Sequence, residues 1–266
     1  MADTIKLRSD DNHSVVTIYK GELISYQLMG VEVMHQKGDP GWGSTEIEMF
    51  PIIGATAAND FSVQTAKGEA KLDQHGILRG MEYLPMQEER SKASFYKTYK
   101  ANTEVKNPKF PEKSTQQYMH WPYDFQFTKT FDLTNGSLTI YFEIKSEDGM
   151  PFMLGFHPAF KIYSKNPILR TGNTLVSLDE VLEVGSSAFL LEECKELVLE
   201  NNDSLIVNLK TKGFRHMMLW SEVSNMVCIE PITFYPSSVS IPQLHKGFDY
   251  SSEYEKYQVT ISPLLL

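Results

Sequence analysis

Tyr123-Asp124-Phe125-Gln126-Phe127-Thr128-Lys129-Thr130-Phe131, then Asn135-Gly136, then Leu138-Thr139-Ile140-Tyr141-Phe142-Glu143-Ile144 is the stretch that decides the fold class. Over most of its length, apolar and polar residues alternate with period two on both sides of the Asn-Gly pair. Such alternation sends successive side chains to opposite faces of an extended chain. Asn-Gly tolerates the positive φ that both centres of a type I′ turn require, so the two runs read as an antiparallel hairpin. Outward from it, further short strands are marked by turn residues. Ser14–Tyr19, 23–29 and 31–34 form an opening meander. Tyr83 to Tyr99 reads as two strands around Glu88-Glu89-Arg90-Ser91. Later strands are expected at 175–178, 205–209, 217–221, 226–231 and 257–262, with a short helix within the acidic segment 179–200. No Gly-rich phosphate loop and no strand–helix–strand rhythm occurs. The chain reads as all-β.

The 266 residues suffice for a sizeable core and are expected to form a single domain, 1–266. Apolar residues make up 41% and charged residues 22%, a globular balance. The formal net charge of -9 argues against nucleic acid or an anionic membrane as partner. The start of the chain lacks a basic-then-apolar leader, and no apolar run approaches the roughly 20 residues that span a bilayer. Cys194 and Cys228 are too few and too far apart for a disulfide framework or a zinc motif. A cytoplasmic protein, monomer or homodimer, without metal or cofactor, is the expectation.

Three places offer chemistry. Met153-Leu154-Gly155-Phe156-His157-Pro158-Ala159-Phe160 sets a histidine in an apolar run, on one face with Gly155 and Ala159. A core histidine with both nitrogens satisfied is the more common outcome for such a stretch. Pro158 removes a donor, so the strand is expected to lie at an edge, bend or end there. Asp73-Gln74-His75-Gly76-Ile77-Leu78-Arg79-Gly80 puts a histidine and an arginine four apart, each followed by glycine, which permits close approach of a ligand. Glu230 ends the apolar run Met226–Ile229, where it either points to water or suffers desolvation that raises its pKa. Trp42 and Phe50 offer an aromatic wall for a ligand, although ordinary core packing is the commoner role for such residues. Residues 101–117, with two prolines and many charges, read as an exposed mobile loop.

In order along the chain, Phe50-Pro51-Ile52-Ile53-Gly54, His75-Gly76-Ile77-Leu78-Arg79-Gly80-Met81-Glu82, Gly155–Phe160, Leu219-Trp220-Ser221 and Cys228-Ile229-Glu230-Pro231 resemble the aldose 1-epimerase (galactose mutarotase-like) family in its compact form. The resemblance implies an antiparallel super-sandwich with a sugar site in a cleft, and no metal or nucleotide. It implies an isomerase of carbohydrate metabolism, a mutarotase interconverting α and β anomers of an aldohexose. His157 would be the general acid and Glu230 the general base. His75 and Arg79 would contact the sugar. Apart from the resemblance, the neighbouring aromatics Phe156 and Trp220 are candidates to stack on its ring, with plain core packing the equal alternative. Ala55 stands where the family often has an arginine, which leaves the substrate open. A hexose-6-phosphate mutarotase and a non-catalytic carbohydrate-binding protein are the alternatives. The chemistry needs one group to take the C1 hydroxyl proton and another to protonate the ring oxygen. A protonated His157 and an ionised Glu230, each favouring the other's charge, are expected to form that pair.

Overall fold

The computed structural model describes residues 3–201 and 204–266. The deciding stretch folds as the strands Phe125–Thr134 and Ser137–Ser146, closed by a Thr134–Ser137 pair around Asn135-Gly136. Gly136 has φ +89°, but Asn135 does not take a positive φ, so the hairpin forms as expected while its turn is not the expected type I′. Phe127, Phe131, Ile140 and Phe142 are buried, as the alternation requires.

This hairpin lies inside a nine-stranded antiparallel sheet. Tyr254–Leu265 joins it on one side and Lys92–Tyr99 on the other. A second, five-stranded sheet has the order Phe189–Leu191, His216–Trp220, Met226–Ile232, Gly155–Lys161, Glu46–Met49. A four-stranded meander, Thr4–Arg8 to Val31–Glu32, completes the larger sheets. The two principal sheets share apolar side chains: Phe142 of the first meets Phe156 of the second with ring centroids 5.0 Å apart. One continuous core cluster runs from Ile5 to Ile261. The architecture is the expected all-β antiparallel sandwich. The short helix is Leu178–Val184, capped by Ser177 and Glu180 in a reciprocal capping box. No helix among the described residues is long and apolar enough to cross a membrane.

Two expectations need correction. Gly155–Lys161 runs straight through Pro158 with strands on both sides, so it is neither an edge nor an end. The ladder itself accommodates the proline. Pairing with Met226–Ile232 is made at Gly155–Ile232 and again from Ala159–Cys228, and lapses between. Pro158 and Pro231, neither with an N–H, both fall in that gap. The loop 101–117 is also tied down. Asn107 is buried, and its Nδ2 donates to Asp73 Oδ2 at 2.8 Å and to Gln116 O at 2.9 Å. A short pairing of Val105–Lys106 with Tyr118–Met119 closes the base of the segment.

Candidate active site

The gap in the ladder is where the chemistry collects. Carrying the register from Gly155–Ile232 to Ala159–Cys228 puts His157 directly opposite Glu230. Opposed residues on neighbouring strands share a face, so their side chains meet. His157 Nε2 lies 3.3 Å from Glu230 Oε1, and the side chains are 7% and 3% exposed. Thus two residues 73 positions apart are paired by strand register alone.

His75 reaches the same place from another direction, and Arg79 stands near enough for its charge to act on both histidines while lining the neighbouring cleft. Residues 50–53 and 75–77 are laced together: Phe50 N–H donates to His75 O, Ile77 N–H to Phe50 O at 2.9 Å, and His75 N–H to Ile53 O. Gly76 has φ +73°, and a Cβ there would lie 2.1 Å from Phe50 O, so glycine is required. His75 itself is left-handed, with φ +71°. Its Nδ1 donates to Ile53 O at 2.9 Å, which leaves Nε2 as an acceptor in the neutral ring. The ring stands edge-on to His157, centroids 5.7 Å apart. Arg79 follows on the 3-10 turn Leu78–Gly80.

Two tryptophans wall the pair. Trp220 meets His157 edge-on at 5.9 Å. Trp42 stacks on the imidazole at 4.3 Å with planes 24° apart. Trp42, for which a core role is the commoner expectation, instead takes the alternative place as an aromatic wall of the site. The Gly-rich run around Trp42 was a signal of close packing. Gly41, at φ +114°, has Val223 Cγ2 only 2.7 Å from where a Cβ would be. His35 Nε2 donates to Trp42 O at 2.8 Å, and Asn225 Nδ2 to Pro40 O at 2.9 Å. Phe156, expected to stack on a ligand, does not face the site. It is fully buried on the opposite face of its strand, against Phe142. Successive strand residues point opposite ways, so His157 and Phe156 cannot serve one site.

The electrostatics also differ from expectation. Burial, with the Arg79 charge adding to it, pushes the His157 imidazole down to about 3. Burial pushes the Glu230 carboxyl well above its ordinary range. His75 is held well below its ordinary value by burial and by His157, Arg79 and Lys109 around it. Burial thus favours the neutral forms, imidazole and carboxylic acid, over the expected imidazolium–carboxylate pair. Among the described residues His157 Nδ1 is buried without a hydrogen-bond partner, a costly arrangement for which a catalytic role is one explanation.

The solved structures this chain is similar to share its whole fold. A galactose mutarotase related enzyme from Lactobacillus acidophilus superposes with a TM-score of 0.78 at 17% identity, covering 98% of this chain and 97% of that one. A galactose mutarotase-like protein from Lactobacillus casei gives 0.76 at 17% identity, covering 99% and 100%. One from Clostridium acetobutylicum gives 0.64 at 14%, covering 96% and 93%. No curated protein matches. The model of the aldose 1-epimerase family matches residues 21–217, a span that holds His75, Arg79 and His157 and stops short of Glu230. On that match over most of its length, the chain belongs to the aldose 1-epimerase family.

Proposed function

We propose that the chain is a single aldose 1-epimerase domain that interconverts the α and β forms of an aldohexose by opening and closing its ring. The observation that carries this reading is the 3.3 Å approach of His157 Nε2 to Glu230 Oε1 in a shielded site with Arg79 beside it. With His157 as acid and Glu230 as base, ring opening moves one proton from imidazolium to the ring oxygen and one from the C1 hydroxyl to carboxylate. It leaves a neutral imidazole and a carboxylic acid, the forms that burial favours here. The neutral pair is thus matched to the open-chain sugar. The carboxylic acid gives its proton to the aldehyde oxygen while the imidazole takes one from the attacking C5 hydroxyl. Rotation about C1–C2 before closure yields the other anomer.

A cyclic sugar needs the pair in its charged form. Both forms hold the same number of protons, so one transfer within the pair suffices and no exchange with solvent is required. Hydroxyl groups of the sugar, and the acceptor Nε2 of His75, replace the polar surroundings that the charged form lacks. Trp220 offers an edge to the apolar side of the ring. Polarimetry on freshly dissolved α-D-glucose and α-D-galactose tests the reading. Wild type should speed the approach to equilibrium, and Glu230→Gln should lose about 10²–10⁴-fold of that rate. If wild type leaves the spontaneous rate unchanged with several aldoses, the reading is wrong.

A further inference from the structure

A cleft away from the His157–Glu230 pair opens on the reverse face of the same sheet. It has a volume of about 560 Å³ and is lined by Glu46, Glu48, Tyr83, Arg79, Lys97 and Lys129, among others. Glu46 and Glu48 flank Ile47, whose partner across the ladder is His157, so both carboxylates lie on the reverse face of that strand. Lys129 comes from the nine-stranded sheet and Lys97 from its neighbour, so four charged side chains meet between the two sheets. All four are buried.

Their hydrogen bonding is incomplete. Lys129 Nζ contacts Glu46 Oε1 and donates to Glu48 Oε1 at 2.5 Å. Glu46 Oε1 also accepts from Leu23 N–H at 2.8 Å, while Glu46 Oε2 is buried with no partner among the described residues. Lys97 gives one N–H to Leu78 O at 2.8 Å, and its Nζ stands 3.9 Å from the centre of the Tyr83 ring. Among the described residues it has no second oxygen acceptor. Both side chains line the cleft, and buried polar atoms left without partners are costly. A hydroxyl group both donates and accepts, so it can pair with either once the Glu46 carboxyl turns toward it. The lining carries as many carboxylates as cationic side chains, which gives no preference for a net anionic ligand. The volume is within the usual range for small-molecule sites, about 300–1,000 Å³.

We propose that this cleft is a second binding site, for a neutral polyhydroxylated ligand such as a glycosyl unit or polyol, held by Glu46 and Lys97. It is separate from the His157–Glu230 pair and does not depend on the mutarotase reading. The test uses probes that have no anomeric hydroxyl to turn over: methyl α-D-galactopyranoside, trehalose and myo-inositol, titrated calorimetrically against wild type and variants. At least one probe should bind wild type and Glu230→Gln equally well. Lys97→Met and Glu46→Gln should each weaken that probe about tenfold or more, the scale of one lost hydrogen bond to a charged group. A measurement on wild type needs no variant to fold: the bound probe should give intermolecular nuclear Overhauser contacts to the Lys97 and Tyr83 side chains. The proposal is overturned if no probe binds up to about 10 mM, well into the weak end of specific binding. It is equally overturned if the binding probe gives no contact to Lys97 or Tyr83, or if its affinity falls in Glu230→Gln and not in Lys97→Met. None of these results bears on polarimetry, so the two readings fail separately.

Discussion

Gly76 carries more of the site than any bulky residue beside it. Its missing side chain lets residues 75–77 bond to the backbone of Phe50, and so aims His75 at His157. Gly76→Ala should cost at least about 1–3 kcal/mol in urea denaturation, from the positive φ alone. The 2.1 Å approach to Phe50 O adds to that and should move His75. His157 makes a different prediction. Its pKa of about 3 in the fold lies below the ordinary 6.5, so the unfolded chain binds its proton first as pH falls. The stability it contributes is present above pH 6.5 and is lost as pH falls from 6.5 toward 3. Between those values His157→Gln should flatten the rise of stability with pH by about 1.4 kcal/mol per unit, measured by urea midpoints. At this scale the sequence was partly legible. His75, Arg79, His157 and Glu230 announce themselves by residue type and glycine spacing. Protonation state depends on how deeply the fold covers each group, and no local pattern carries that. Phe156 misleads because it adjoins His157 in the chain while facing the other way.

Between residue and molecule stand the strand gap and the Trp42 loop. The paired prolines Pro158 and Pro231 open the ladder at the point where His157 faces Glu230. A proline in a run of apolar residues argues for an edge, and the structure instead uses two of them to relieve one place in a central ladder. The Trp42 loop then covers the pair. Its hold comes from Val223, Asn225 and Met226, some 180 residues away, which is why sequence alone favours a core role for Trp42. The indole covers one face of the imidazole and, on the proposed function, restricts a sugar's approach to it. Trp42→Ala should therefore raise the rate at which diethylpyrocarbonate modifies His157, by several-fold to about tenfold, the energy scale of one aromatic stack. Mass mapping of the modified peptide separates His157 from the other histidines. An unchanged rate would mean that the indole is no barrier.

Across the whole molecule, Lys129 ties one sheet to the other. It occupies the apolar row Phe125, Phe127, Lys129, Phe131 of the deciding stretch, and a lysine in that row is itself a sign of a buried partner. Its partners, Glu46 and Glu48, stand 83 and 81 residues earlier. The all-β class and the order of the strands follow from local alternation and turns, whereas this contact exists only once the sheets stack. Lys129→Met should leave two buried carboxylates uncompensated and cost about 3–5 kcal/mol in chemical denaturation. Adding Glu46→Gln and Glu48→Gln should recover a large part of the loss. If the single variant is as stable as wild type, the buried charges are not holding the sheets together.

The most direct test of the acid–base assignment is a crystal structure with an aldohexose bound. The ring oxygen and the C1 hydroxyl should lie within hydrogen-bond distance of His157 Nε2 and the Glu230 carboxyl, with Trp42 moved off the imidazole. An aldose bound anywhere else, with Trp42 still stacked on His157, would contradict the account.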